Sequence, residues 1–160
     1  MTTQIKRSNF LTYLNTTPST TATYSKIGDG ITSAKINMNP KITQEQYISE
    51  DSARASVDSY AIDIPFTGKC KFGDAVFTYI NTLFLSRATL ADAETDIVNV
   101  WNFQTGGPTA APAQKQPVVV AINDFGGDAD APVSYSYTLY ANGAPTTGTF
   151  NTTTPAFTAS

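Results

Sequence analysis

Apolar and polar residues alternate with the two-residue period of a strand along much of this 160-residue chain, and a convincing helical period occurs once. The strictest alternation is Val133-Ser-Tyr-Ser-Tyr-Thr-Leu-Tyr140. Val133, Tyr135, Tyr137 and Leu139 share one side, and Ser134, Ser136 and Thr138 the other. Asn142-Gly143 follows, the preferred pair for a type I′ hairpin turn, so Thr146 to Thr152 is expected to return against that strand. Shorter strands are expected at Asn9 to Leu14, Thr21 to Ile27, Ile31 to Met38 and Ile97 to Phe103, the last with Trp101 and Phe103 facing together. Pro117 to Asn123 is a continuous apolar run that suits a buried strand, after a Gly/Pro/Ala-rich loop from Gly106 to Gln116. Gly73-Asp74 opens the helix. Asp74 is placed to cap it, and Val76, Phe77, Ile80, Leu83 and Phe84 form an apolar stripe wide enough to lie across a sheet.

One segment breaks this economy. Between the strand ending near Met38 and the next, Val57 to Ile64, runs a polar excursion from Asn39 to Ser56 with no Gly or Pro after Pro40. The strand after it places Tyr60, Ile62 and Ile64 on one face and continues through Pro65, an edge or bulge position, to Phe72. Strands in a small domain are normally joined by a few residues, and a connection this long is usually functional or disordered. This one keeps Ile42, Tyr47 and Ile48, which a purely solvated loop has little reason to retain, among polar Gln46, Glu50, Asp51 and Arg54. It is expected to be an assembly arm, mobile in the free subunit and ordered against another molecule.

The pattern gives a mainly β fold: an antiparallel β-sandwich or open barrel with one flanking amphipathic helix, in a single domain over residues 1–160. Composition adds that charged residues are only 14% of the chain and that β-branched Thr is the commonest residue. Sparse surface charge makes a subunit readier to associate, since less charge must be desolvated on contact. On the polar side of the Val133–Tyr140 strand there is no Lys or Glu to guard an open surface. Ser134, Ser136 and Thr138 are therefore candidates for an inter-subunit or channel-lining face. The net charge is −3 and Lys/Arg cluster only at Lys6-Arg7 and Lys69/Lys71, which argues against a phosphate-tracking surface. Met1 to Asn9 lacks the apolar run of a signal peptide, and no stretch approaches the ~20 apolar residues of a membrane span. Synthesis and retention in a cytoplasm are expected, with no membrane partner.

Catalytic chemistry finds little to stand on. The chain has no His, which removes the usual triad base and the commonest transition-metal ligand. Cys70 is flanked by Lys69 and Lys71, but neighbours on a strand point to opposite faces, so a semi-buried inert thiol is expected. Asp92/Glu94/Asp96 and Asp124/Asp128/Asp130 match no calcium-loop spacing and read as a solvated turn and a Gly-rich hairpin entry. Trp101, Tyr135 and Tyr137 could make a sugar-stacking platform, but on strands this regular they belong to the inner face of a sheet. No enzyme activity, metal or cofactor is expected.

Taken in order, several segments resemble the major tail (tail tube) proteins of long-tailed, non-contractile bacteriophages. They are Ile27-Gly-Asp-Gly-Ile31, Tyr47-Ile-Ser-Glu-Asp51 with Val57-Asp-Ser-Tyr60, Lys71-Phe-Gly-Asp-Ala-Val-Phe77, Ile97-Val-Asn-Val-Trp101 and Tyr137-Thr-Leu-Tyr-Ala-Asn-Gly-Ala-Pro-Thr-Thr-Gly-Thr-Phe150. The resemblance implies a β-sandwich flanked by a helix, and subunits that form hexameric rings stacked into a hollow tube for DNA delivery. It also implies that the long loop reaches into the neighbouring ring. Implied partners are further copies of the chain and tape measure, tail-tip and tail-terminator proteins, with DNA only transiting the lumen. The implied location is the virion tail, built in the host bacterial cytoplasm. A mildly acidic wall would let DNA phosphates slide without sticking. The second reading is an immunoglobulin-like surface binding module with the aromatic residues as a glycan platform, which predicts a stable monomer.

Overall fold

The alternating segments pair into one nine-stranded antiparallel sheet and a separate two-stranded one in the computed structural model, which describes residues 1–160. In chain order the elements are β1 (Phe10–Asn15), β2 (Tyr24–Lys26), β3 (Ile31–Ala34), β4 (Pro40–Glu45), β5 (Arg54–Tyr60), β6 (Asp63–Lys69) and α1 (Ala75–Ser86). They continue as β7 (Glu94–Trp101), β8 (Ala111–Gly126), β9 (Ser134–Ala141), β10 (Thr146–Asn151) and β11 (Ala156–Ala159). The large sheet runs β2-β1-β7-β8-β9-β6-β3, with β10 on β8 and β11 on β10, while β4 and β5 pair only with each other. Its two ends approach without pairing and leave a cleft of about 590 Å³ between Leu11, Thr12 and Ile27 on one side and Ile31, Ala34 and Phe66 on the other. The fold is thus mainly antiparallel β with one helix, as the pattern predicts, and the barrel is open.

Both faces of the sheet are used. One presents Leu14, Ile97, Val118, Val120, Tyr137, Leu139, Ile64 and Phe66 to α1, which lays Val76, Ile80 and Leu83 into them. Aromatic rings tile this layer: Phe66 stacks on Tyr137 at 5.0 Å and Phe77 meets Tyr135 edge-on at 5.3 Å. The opposite face gathers Leu11, Tyr13, Val98, Val100, Ala111, Ala113 and Phe150 into a second core. Consecutive Ile97, Val98, Asn99 and Val100 are all buried, because β7 has protein on both sides.

The helix starts where its cap was expected: Asp74 Oδ2 accepts the Phe77 N–H at 2.9 Å. It ends at Arg87, whose left-handed backbone (φ 49°) lets Ala88 N–H reach the Leu83 carbonyl at 3.1 Å. The predicted stripe needs one correction. Phe84 is 40% exposed and stacks on Phe125 at the rim, whereas Ile80 is 2% exposed under the helix. Ile80→Ala should therefore cost about 2–5 kcal/mol, and Phe84→Ala no more than about 1–2 kcal/mol. Urea melts with unchanged slopes would check the ranking, and equal costs would contradict it.

Three strand expectations are corrected by the topology. The Asn142-Gly143 turn makes no hairpin. β9 pairs with residues 118–126 of β8 and β10 with residues 111–115, both antiparallel to it, so β10 continues in line with β9 along the same edge. The excursion between them is fastened to β8 by Asn142 N–H to the Pro117 carbonyl and Gln116 Nε2 to the Gly143 carbonyl, each at 2.8 Å. Gly143 does adopt φ 111°, so the positive-φ signal is genuine but reverses nothing. The 16 residues of β8, several of them in the expected 106–116 loop, are what hold two strands end to end. The expected Val57–Phe72 strand is two strands in different sheets, broken at Ala61-Ile62, and Phe103 lies in the turn after β7 rather than beside Trp101 on it. Pro65 sits past the end of the β3 pairing, where its missing N–H removes no ladder bond on that side.

Candidate assembly surface

The excursion between β3 and β6 is no irregular loop. Lys41-Ile-Thr-Gln-Glu45 and Arg54-Ala-Ser-Val-Asp-Ser-Tyr60 are rich enough in β-branched and alternating residues to pair, with Ile42 opposite Val57, Gln44 opposite Ala55 and Pro40 opposite Tyr60. A bulge beside Asp58 keeps the register. Residues that pair share a face, so Pro40, Ile42, Gln44, Ala55, Val57 and Tyr60 line one side. Lys41, Thr43, Glu45, Arg54, Ser56 and Ser59 line the other. Thr43 Oγ1 donates to Asp58 on that polar side. The hairpin is amphipathic, and nothing in the subunit covers its apolar side: Ile42, Val57 and Tyr60 are each more than half exposed.

The base of the ribbon is fastened to the large sheet. Asn37 and Asp63 exchange backbone hydrogen bonds at 2.9 and 3.1 Å, and Asn39 Nδ2 donates to the Ala61 carbonyl at 3.0 Å and to the Asp63 carboxylate. Asn39 holds φ 43°, a left-handed position that Asn tolerates, where the chain leaves β3 for β4. The tip is ordered by local bonds. Gln46 Nε2 donates to the Glu50 carbonyl at 3.0 Å, Tyr47 Oη to Glu45 at 3.1 Å, and Arg54 pairs with Glu50. Tyr47 and Ile48 project from it exposed, and Asp51 is in neither ion pair of the chain. The seven residues expected of an arm, Ile42, Gln46, Tyr47, Ile48, Glu50, Asp51 and Arg54, thus lie together on one projecting hairpin. Val57 and Tyr60 complete its apolar side, although the sequence pattern places them on the strand that follows. The signal for them was the alternation Ala55, Val57 interrupted by one residue before Tyr60, which is a bulge read as a change of phase.

The second candidate surface is different from expectation. Ser136 and Thr138 are buried, at 9% and 6% exposure, and Ser134 is half-buried. Ser136 Oγ donates to Asp124 at 2.6 Å, Ser134 Oγ to the Gly126 carbonyl at 3.0 Å, and Asn123 Nδ2 to Thr138 Oγ1 at 2.8 Å. The expected open polar face is therefore corrected: β9 is flanked by β8 and β6, and its hydroxyls are satisfied inside the subunit. Asp96 is likewise internal, accepting from Tyr24 Oη at 2.8 Å and Asn15 Nδ2 at 2.9 Å. Cys70 is half-buried, and burial pushes its thiol up rather than activating it. Tyr135 and Tyr137 are core residues.

Burial also raises the hydroxyls of Tyr13, Tyr24, Tyr79, Tyr135 and Tyr137. Tyr135 is pushed up to about 12, by burial first and then by the Asp74 and Cys70 charges. An unfolded tyrosine ionises near pH 10, so the folded state holds these protons longer. Stability from this source is complete below about pH 10 and is lost as pH rises through the folded values. Thermal melts should hold steady from pH 7 to 9 and fall steeply between about pH 10 and 12. A melting temperature unchanged at the top of that window would contradict the packing of these rings.

Comparison with known proteins gives a fold and no sequence family. No protein-family model matches the chain, and no curated protein sequence matches it. Among solved structures, a chain of the tail of an empty gene transfer agent (GTA) particle, obtained by helical refinement with C6 symmetry, superposes with a TM-score of 0.64 at 16% identity. The superposition covers 98% of this chain and 100% of that one. A chain of the native GTA virion superposes with a TM-score of 0.63 at 14% identity, over 98% and 100% of the two chains. The tail-tube-like fold expected from the sequence is the fold this chain has.

Proposed function

We propose that this chain is a structural, non-enzymatic subunit of a phage-like tail. In this reading it is a single domain that assembles as stacked hexameric rings into a hollow tube through which DNA is delivered to the host. The observation that carries the reading is the end-to-end likeness of the fold to a chain of a C6-symmetric tail. The hairpin supports it independently. An isolated two-stranded ribbon is marginal in water, and one that also exposes an apolar face gains most by being covered.

Ring and tube formation follows from ordinary interface physics. A ring closes when one patch meets a different patch on the next copy, and stacking repeats that along the axis. The β4–β5 hairpin, with Ile42, Tyr47 and Ile48, acts as the arm that joins one ring to the next. Tape measure, tail-tip and tail-terminator proteins are the further partners of such a tube, which is built in the bacterial cytoplasm and resides in the virion tail. With a net charge of −3, the wall repels DNA phosphates and lets the duplex pass without binding.

Negative-stain microscopy of concentrated protein tests the reading. Six-fold rings or regular hollow tubes are the expected result. Dispersed globules at every concentration would overturn it and favour a monomeric surface binding module.

A further inference from the structure

The subunit carries a second uncovered apolar surface, far from the hairpin along the chain. β7 pairs with β8 only up to Val119, so β8 beyond that residue is paired on one edge alone, by β9. No backbone hydrogen bond from the 87–93 segment closes the open edge. Beside it the end of α1 and the turn that follows leave a groove of about 540 Å³, lined chiefly by Leu83, Phe84, Leu90, Val120 and Ile122. Leu90 is exposed at a positive φ of 53°, held out over the groove by a short 3-10 turn. Arg87 stands at the rim and is in neither of the chain's ion pairs.

We propose that this groove receives the hairpin tip of a second copy of the chain, with Tyr47 and Ile48 in the groove and Asp51 against Arg87. This rests on the tail-subunit reading above and names the receptor for its arm. The two surfaces fit in chemistry. The tip offers two adjacent uncovered apolar side chains and a carboxylate outside both ion pairs. The groove offers apolar Leu83, Phe84, Leu90, Val120 and Ile122 with the Arg87 guanidinium; the one carboxylate in its lining, Asp124, already accepts from Ser136. The open β8 edge adds unpaired N–H and C=O groups, which an extended segment can satisfy as an added strand. Because tip and groove are different patches on one chain, the contact is heterologous and propagates instead of closing on a dimer.

Charge exchange across the contact tests it. Arg87→Glu and Asp51→Arg should each lower sedimentable polymer about tenfold, the factor corresponding to about 1.4 kcal/mol of coupling, and the double variant should restore it. Circular dichroism checks that each variant is folded. A photo-crosslinking residue at position 48, in a mixture of isotopically light and heavy protein, should yield light–heavy links to residues 83–93 or 119–124. Polymer unaffected by Arg87→Glu, or links mapping elsewhere on the partner copy, overturns the groove while leaving the arm reading intact. If shortening the hairpin also fails to reduce polymer, the arm reading falls as well. A wild-type chain that stays monomeric at millimolar concentration without such links overturns both.

Discussion

Replacing residues 43–56 by a two-residue Asn-Gly turn should give a fully folded subunit that forms no tubes. Ile42 and Val57 are cross-strand partners, so a two-residue turn can close the ribbon between them without moving β3 or β6. The excised stretch contributes nothing to either core, since β4 and β5 pair only with each other and every residue of β5 is exposed. The base at Asn37, Asn39 and Asp63 stays in place. The melting temperature should therefore move by no more than a surface change does, within about 0.5 kcal/mol of equivalent stability. Assembly should be abolished, because the segment carries the exposed tip with Tyr47, Ile48 and Asp51. Long tubes from this variant would show that the hairpin is not the arm, and a large loss of stability would show that it belongs to the fold.

The largest single-residue effect is expected at Phe150. Its side chain is fully buried where β10 crosses the second core, 4.4 Å from the Tyr13 ring and 5.8 Å edge-on from Tyr24. Ala111, its partner across the strand pair, and Ala113 on β8 are too small to reach into the space that Phe150 fills, so its removal leaves a cavity beside Tyr13 and Tyr24. Phe150→Ala should cost about 3–5 kcal/mol, a large share of the 5–15 kcal/mol that holds a typical domain. The C-terminal hairpin should loosen first, since Phe150 lies opposite Phe157 and only Phe157 of β11 reaches this core. Hydrogen exchange should show β10 and β11 losing protection ahead of β7. A cost below about 1 kcal/mol would mean that the second core does not hold the C-terminus to the sheet.

Much of this molecule is legible locally. Asp74 followed by Val76, Phe77, Ile80 and Leu83 specifies a capped helix with one apolar stripe, because side chains three and four apart share a face whatever lies beyond them. Alternation in Tyr135, Tyr137 and Leu139 specifies a strand with an apolar side for the core, for the same kind of reason. Even the excursion between β3 and β6 stands out, since Ile42, Tyr47 and Ile48 are too apolar for a loop that meets only water.

Partnership is not local. Asn142-Gly143 encodes a positive-φ turn, but whether the next strand folds back or runs on depends on what lies alongside. A 16-residue β8, more than 15 residues distant in sequence, offers an edge long enough for both β9 and β10. The Ser/Thr side of β9 encodes polarity, but its burial depends on Asp124 and Asn123 arriving from β8 to take up those hydroxyls. Arg54 to Tyr60 encodes a strand, and only the bulge at Asp58 with pairing to β4 assigns it to the hairpin instead of the large sheet. The class of fold, the helix and its cap, and the place of the long excursion between β3 and β6 are local properties, which follow from backbone sterics and the period of side chains along one segment. The tertiary structure alone decided strand neighbours, which apolar faces are covered and which are left open, because burial is a property of two surfaces meeting and a single segment carries only one of them.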